Sequence, residues 1–87
     1  MNLGQAIEAL KEGKKVRRSG WNGKGMFLYY VPAASYPAMT EIAKAEWGDG
    51  ALVPYCAYIA MKTVQGDVTP WNSSQTDMLA EDWEIVE

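Results

Sequence analysis

The short length of the chain constrains its fold more than any motif does, because 87 residues can build only one hydrophobic core. A chain of this size buries only roughly 60 to 65% of the surface that its unfolded form exposes. A lone protomer should therefore be marginally stable, and self-association would add stability. We predict one compact domain spanning residues 1–87, for which a homo-oligomer is a plausible state.

The first third of the sequence follows a helix, strand, loop, strand pattern. Asn2 can cap a helix that has Gln5 at its third position, and apolar residues follow at the spacing of one helical face, namely Leu3, Ala6, Ile7 and Leu10. Gly13 is expected to end this helix. Strands are predicted at 15–18 and 26–31, joined by a glycine-rich connection at 19–25.

The rest of the chain continues with alternating helical and extended patterns. A second helix is predicted to start at Ser35-Tyr36-Pro37, with apolar residues at helical spacing, namely Met39, Ile42, Ala43 and Trp47. Strands are predicted at 55–64 and 68–71 around a turn at 65–67, with Pro70 at a sheet edge. A short helical turn through residues 79–80 and a last strand at 83–86 follow. The fold class is α+β: a small antiparallel sheet with an N-terminal helix and a second helix in the middle.

Composition excludes several kinds of chemistry. The sequence has no histidine and one cysteine, which removes the usual general base and the usual zinc ligands. We therefore predict no catalytic residue, no metal site and no cofactor. Cys56 lies in an apolar stretch and is expected to be buried. No apolar run approaches the roughly 20 residues of a membrane span and no signal peptide is visible, so a cytoplasmic location is expected.

The charges are separated along the chain. Net charge is −3, yet six of the eight Lys and Arg residues lie between Lys11 and Lys24. A basic segment on an acidic protein suits a small anionic ligand better than long nucleic acid. The acidic residues near the C-terminus, Glu81, Asp82, Glu84 and Glu87, are expected to form a solvated acidic surface.

Two segments combine a flat aromatic ring with hydrogen-bonding groups, and they run from 17 to 25 and from 70 to 77. Glycines let the backbone approach a ligand, arginine binds phosphate with two donors, and tryptophan offers a face on which a base can stack. The first segment lacks the spacing of a phosphate-binding P-loop or of a dinucleotide fingerprint. The composition indicates a nucleotide ligand, but the pattern alone is weakly specific.

Each aromatic residue also has a structural interpretation. Trp21 and Trp71 could instead be hydrophobic anchors that close a small core. Core or subunit packing is the better interpretation of Trp47 and Trp83, which lie in helical or alternating patterns. Asp77 could cap the next helical turn or accept a ligand hydroxyl, and both readings stay open.

Two long motifs carry a family resemblance. The first is Val16-x-Arg18-x-Gly20-Trp21-Asn22-Gly23-Lys24-Gly25-Met26, and the second is Pro70-Trp71-x-x-Ser74-Gln75-Thr76-Asp77-Met78-Leu79-Ala80-x-Asp82-Trp83. With these motifs the chain resembles the second Thoeris anti-defence family of small phage proteins, over nearly its whole length. Residues 32–55 match no pattern of that family, so ligand preference could be set there.

The resemblance implies a sponge, that is, a non-enzymatic protein that sequesters the cyclic ADP-ribose-type signal of bacterial TIR-domain immune proteins. It further implies a homotetramer with pockets between protomers, and cyclic dinucleotides as a second ligand class of some members. Carried onto this sequence, it implies base or ribose contacts from Trp21 and Trp71. The phosphate and polar contacts would come from Arg18, Asn22, Gly23, Lys24, Ser74, Gln75, Thr76 and Asp77.

Two alternatives compete with the sponge. One is a hydrolase of the same nucleotide that uses Asp77 or a C-terminal carboxylate as base, and the absence of histidine argues against it. The other is a structural or protein-binding phage component that uses its aromatic surface as a docking patch.

Overall fold

The computed structural model describes residues 1–21 and 24–87 as three helices and two antiparallel sheets. The helices are α1 (Leu3–Lys11), α2 (Glu41–Trp47) and α3 (Gln75–Leu79). The strands are β1 (Lys15–Arg18), β2 (Phe27–Val31), β3 (Ala34–Pro37), β4 (Leu52–Tyr55), β5 (Tyr58–Lys62), β6 (Val68–Pro70) and β7 (Trp83–Val86). The predicted α+β class, the N-terminal helix and the helix in the middle are confirmed.

Helix α1 begins and ends as its sequence predicts. The Asn2 side chain accepts a hydrogen bond from the Gln5 backbone N–H at 2.9 Å, and the Gln5 side chain accepts one from the Asn2 N–H at 3.0 Å. This reciprocal capping box satisfies two backbone donors that the first turn leaves unpaired. Gly13 follows the helix with φ of +88°, a left-handed conformation that favours glycine.

The larger sheet holds the core of the molecule. Its strand order is β6-β5-β2-β1-β7, all neighbours being antiparallel. One face packs against α1 through the buried residues Ala6, Ala9, Leu10, Val16, Leu28 and Trp83. The hairpin predicted at residues 65–67 joins β5 to β6, and β6 is an edge strand, as Pro70 indicated.

A separate arm is formed by β3, α2 and β4. Strands β3 and β4 make a two-stranded sheet, and α2 packs beside β4 over a small apolar cluster of Ala38, Ala43 and Val53. Thr40 caps α2, its hydroxyl accepting a hydrogen bond from the Ala43 N–H at 3.0 Å. The arm therefore has local order but only a minimal core of its own.

Three predictions for the middle of the chain are wrong. The segment expected to start the second helix is strand β3, and the helix begins at Glu41, because Thr40 supplies a cap and Pro37 pairs across the ribbon with Leu52. Residues 55–64 are not one strand, since β4 ends at Tyr55 and β5 starts at Tyr58. The apolar face of α2 was also misplaced: Ala43 is buried, but Ile42 is 82% exposed.

The position of the arm also bears on the predictions for Cys56 and Trp47. Cys56 is exposed rather than buried, because it lies in the connection between the two sheets instead of inside a strand. Trp47 is 51% exposed in this protomer, so it does not pack in the core and its alternative role in subunit packing stays a prediction, whereas Trp83 is buried as expected. Across the described ranges, 1–21 and 24–87, no helix is long and apolar enough to cross a membrane.

Candidate functional site

Three tryptophans meet at one end of the core. The buried ring of Trp83 makes edge-to-face contacts with Trp21, at 5.4 Å between ring centroids, and with Trp71, at 5.7 Å. Trp21 and Trp71 are half-buried and pack against the core cluster. The structure thus brings together the two segments that the sequence singled out, with both rings anchored on one side and partly open on the other.

Helix α3 begins with a capping box and is joined to this cluster by a hydrogen bond from Trp83. The Ser74 hydroxyl accepts a hydrogen bond from the Asp77 N–H at 3.0 Å, and Asp77 Oδ2 accepts one from the Ser74 N–H at 3.3 Å. The Trp83 indole Nε1 donates to the Asp77 carbonyl oxygen at 3.2 Å. Of the two readings left open for Asp77, the capping role is confirmed, and a ligand contact stays a prediction.

Arg18 joins the two segments through a pair of carboxylates. Its Nε donates to Asp82 Oδ1 at 2.8 Å and its Nη1 donates to Asp77 Oδ1 at 2.9 Å. Asp82 Oδ2 also accepts a hydrogen bond from the Gly20 N–H at 3.1 Å and one from the Ser19 hydroxyl at 3.5 Å. One ion-pair network therefore connects the end of β1, residues 19–21 (here called the Trp21 loop) and the first turn of α3.

The charges of this network stabilise one another. The hydrogen bond from Arg18 lowers the pKa of Asp82 below its ordinary value of 3.8, against a smaller opposing effect of desolvation. Desolvation acts to raise the pKa of Asp77, but hydrogen bonds from Arg18 and Ser74 outweigh it, so this pKa is lowered too. The hydrogen bond to Asp82, followed by that to Asp77, raises the pKa of Arg18. All three groups are charged at neutral pH.

A cleft of about 450 Å³ opens beside the Trp21 loop. The described residues that line it are Arg17, Arg18, Ser19, Trp21, Lys24, Gly25, Met26 and Glu84. Its three cationic side chains outnumber the single carboxylate, and its volume falls within the range of small-molecule sites. The cleft can attract an anion, and the indole ring of Trp21 borders it.

The predicted site residues fall into four groups. Arg18, Trp21 and Lys24 line the cleft, whereas Trp71 reaches the same region only through its contact with Trp83. The polar residues of the second segment, Ser74, Gln75, Thr76 and Asp77, form the start of α3 outside the cleft lining. Asn22 and Gly23 lie outside the described residues.

Sequence reasoning missed three charged residues at the site. Asp82 and Glu84 were expected to be solvated, but Asp82 binds Arg18, and Glu84 accepts a hydrogen bond from Arg17 Nε at 2.8 Å. Both side chains are partly exposed, but the expectation missed their ion pairs, because the pairing of β7 with β1 places these carboxylates opposite the basic segment. A signal was present for Asp82, which belongs to the second family motif. Arg17 had a signal as well, because it is the first residue of the segment from 17 to 25, but it was not among the predicted site residues.

Metal binding receives no support from the part of the chain that the structure describes. In residues 1–21 and 24–87 no group of three or more His, Cys, Asp or Glu side chains is placed to hold a metal ion. The chemistry that the described residues can supply is ion pairing, hydrogen bonding and aromatic contact.

Comparison with known proteins confirms the family resemblance. A family model described as the Thoeris anti-defense 2-like domain matches residues 1–86. The protein "Thoeris anti-defense 2" of Bacillus phage SP01 is 42% identical over 86 residues, which is 99% of this chain and 94% of that protein. The similarity therefore includes the tryptophan cluster, the cleft and the arm.

Proposed function

Since the chain belongs to the Thoeris anti-defense 2-like family and has a phage anti-defence role, we propose that it works as a sponge for a signalling nucleotide. It binds and sequesters, without cleaving, the cyclic ADP-ribose-type signal made by TIR proteins of Thoeris immunity. Cyclic dinucleotides are the second ligand class of this proposal. The sponge acts in the cytoplasm of the infected host cell, where the signal is made.

One observation carries this proposal: the half-buried ring of Trp21 borders a cationic cleft and is braced from behind by Trp83. A cyclic ADP-ribose-type ligand combines a flat base, ribose hydroxyls and a pyrophosphate. These parts match a rigid ring, a cluster of hydrogen-bonding side chains and positive charge, respectively. A braced ring loses little conformational freedom on binding, which favours affinity.

A sponge acts by mass action, so its affinity must rival that of the effector it protects against. Nanomolar affinity corresponds to about −12 kcal/mol, which requires an enclosed site. The cleft of one protomer is open to solvent, and large apolar side chains of the arm are exposed, among them Met39, Ile42, Trp47 and Leu52. Both features support a homo-oligomer, in keeping with the tetramer that the family resemblance implies, whose neighbouring protomers close the site.

The lowered pKa of Asp77 argues against the hydrolase alternative. A general base works best when its pKa lies near the operating pH. Asp77 is held below its ordinary value of 3.8 by Arg18 and Ser74 and has both carboxylate oxygens in hydrogen bonds, so it is a poor proton acceptor. The geometry favours capture of an intact ligand.

The proposal is tested by capture and release. The purified protein is incubated with cyclic ADP-ribose isomers produced by a TIR enzyme, freed of unbound ligand, heat-denatured, and the released compound is identified by mass spectrometry. We expect unmodified nucleotide from the wild type and much less from Trp21→Ala or Trp71→Ala. Val64→Ala, at an exposed position in the turn between β5 and β6, is the control and should capture as the wild type does. Size-exclusion chromatography checks that each variant keeps the oligomeric state of the wild type.

Each other outcome contradicts the proposal in a recognisable way. Release of a cleaved nucleotide would identify an enzyme. Capture of no nucleotide, by a protein that is folded, would leave the protein-binding alternative, with the exposed apolar side chains of the arm as its docking surface.

A further inference from the structure

Two adjacent arginines of β1 face different surroundings. Alternation along a strand places Arg18 on the same sheet face as Val16, which belongs to the core, and Arg17 on the opposite face. In the pairing of β1 with β7, Arg18 lies opposite Trp83 and Arg17 lies opposite Glu84. The two side chains therefore meet different partners although they are neighbours in sequence.

Arg18 is almost fully occupied by protein contacts. Only 18% of its side chain is exposed, and two of its nitrogens already bind the carboxylates of Asp77 and Asp82. Each carboxylate is itself anchored, that of Asp77 by the Ser74 N–H and that of Asp82 by the Gly20 N–H. A phosphate that bound Arg18 would have to compete with two charged partners that are already in place.

Arg17 has more capacity for a ligand. Its side chain is 46% exposed, and within the described residues its ion pair with Glu84 uses Nε alone. The two terminal amino groups are left to bind an anion, and Arg17 lines the cleft together with Lys24. A guanidinium with two parallel donors is the geometry that phosphate oxygens prefer.

We propose that the two arginines have different roles in the site. Arg17 is an anion-contacting residue of the cleft, and Arg18 is a positioning residue that locks the Trp21 loop to α3 through Asp82 and Asp77. The identity of the anion rests on the proposed function, but the division of labour does not. It assigns a binding role to a residue outside the predicted site and a different role to one inside it.

The first test needs no nucleotide and uses tryptophan fluorescence. In a Trp47→Phe background, which removes an exposed tryptophan away from the cleft, the protein is titrated with iodide, an anionic quencher, and with acrylamide, a neutral one. Arg17→Gln should lower the iodide quenching constant roughly twofold, because positive potential concentrates anions, and leave acrylamide quenching unchanged. Arg18→Gln should raise acrylamide quenching, because a released loop exposes its tryptophan.

The quenching pattern can overturn either half of the proposal. Unchanged iodide quenching in Arg17→Gln would remove Arg17 as an anion contact. A fall in iodide quenching alone in Arg18→Gln would make Arg18 the anion contact instead. If Arg18→Gln fails to fold by far-UV circular dichroism, Asp82→Asn, which keeps the shape of the side chain, takes its place with the same expected rise in acrylamide quenching.

The second test uses two matched charge changes near β7 and titration calorimetry with a cyclic ADP-ribose isomer. Asp82→Asn and Glu84→Gln each remove one negative charge near the cleft. Simple electrostatics predicts that both tighten binding of an anion. We expect Glu84→Gln to tighten it about two- to threefold, and Asp82→Asn to weaken it about tenfold, because the loop loses its anchor while the protein stays folded.

The two tests fail separately from the proposed function. Tighter binding by Asp82→Asn would overturn the positioning role. If the wild type binds no cyclic ADP-ribose isomer while the quenching pattern holds, the proposed function fails and the cleft stands as an anion site with Arg17 as its contact.

Discussion

Trp21 and Trp83 lie edge to face, with their ring centroids 5.4 Å apart and their planes at 79° to each other. Trp83 is 2% exposed and comes from the last strand, whereas Trp21 comes from the loop after the first. The contact couples a candidate ligand-binding ring directly to the core. Stability and binding should therefore respond together to changes at Trp83.

Replacing Trp83 should cost more stability than any other tryptophan change. Trp83→Phe removes part of a fully buried ring and the hydrogen bond to the Asp77 carbonyl oxygen, a loss of about 2 kcal/mol or more. Trp47→Phe, at a half-exposed position, should change the free energy of unfolding by less than about 0.5 kcal/mol. Urea denaturation of both variants checks this, and equal losses would show that Trp83 does not anchor the core.

The two capping boxes should separate stability from binding. Asn2→Ala and Ser74→Ala each delete a cap and should each cost about 1 kcal/mol of stability. Only Ser74→Ala should also weaken nucleotide capture, because Ser74 orders the α3 turn that carries Asp77. Thermal denaturation and the capture assay on both variants test the difference, and equal capture by the two would place α3 outside the site.

Acid should destabilise the folded protein by protonating the two carboxylates that bind Arg18. Asp77 and Asp82 have pKa values below 3.8 in the folded state, so their stabilising effect is complete above that value. It is lost as pH falls through 3.8 towards the lowered values, because the unfolded state then binds protons more readily. Urea midpoints measured from pH 7 to pH 3 should fall steeply for the wild type. The urea midpoint of Asp82→Asn should be lower than that of the wild type at pH 7 and should fall less as the pH is lowered. If the midpoints of the two proteins fell in parallel, the pairing of Asp82 with Arg18 would be contradicted.

Cys56 should react in the folded protein. Its thiol is exposed in the connection between β4 and β5. A disulfide reagent such as dithionitrobenzoate should therefore modify one thiol per chain without denaturant, and Cys56→Ser should abolish the reaction. Reaction only after addition of urea would mean that another protomer covers this connection.

Local sequence signals predicted the elements that are governed by local chemistry. The capping box of Asn2 and Gln5, the strand at 15–18, the turn around Gly66 and the last strand at 83–86 are all as expected, because caps, alternation and turn residues act over a few positions. The two tryptophan segments were likewise visible in composition, and the family resemblance that was based on them is confirmed by the family model and by the phage relative.

Only the tertiary structure decided which of these residues meet. The pairing of β7 with β1 brings Asp82 to Arg18 and Glu84 to Arg17 across more than 60 positions of sequence, and no local pattern encodes that register. The arm was misread for a related reason: helical spacing gives the period of α2 but not the side that finds a partner, so Ile42 is exposed and Ala43 is buried. The sequence by itself determined the elements and the chemistry available to them, and long-range strand pairing determined which charges neutralise one another and which are left to bind a ligand.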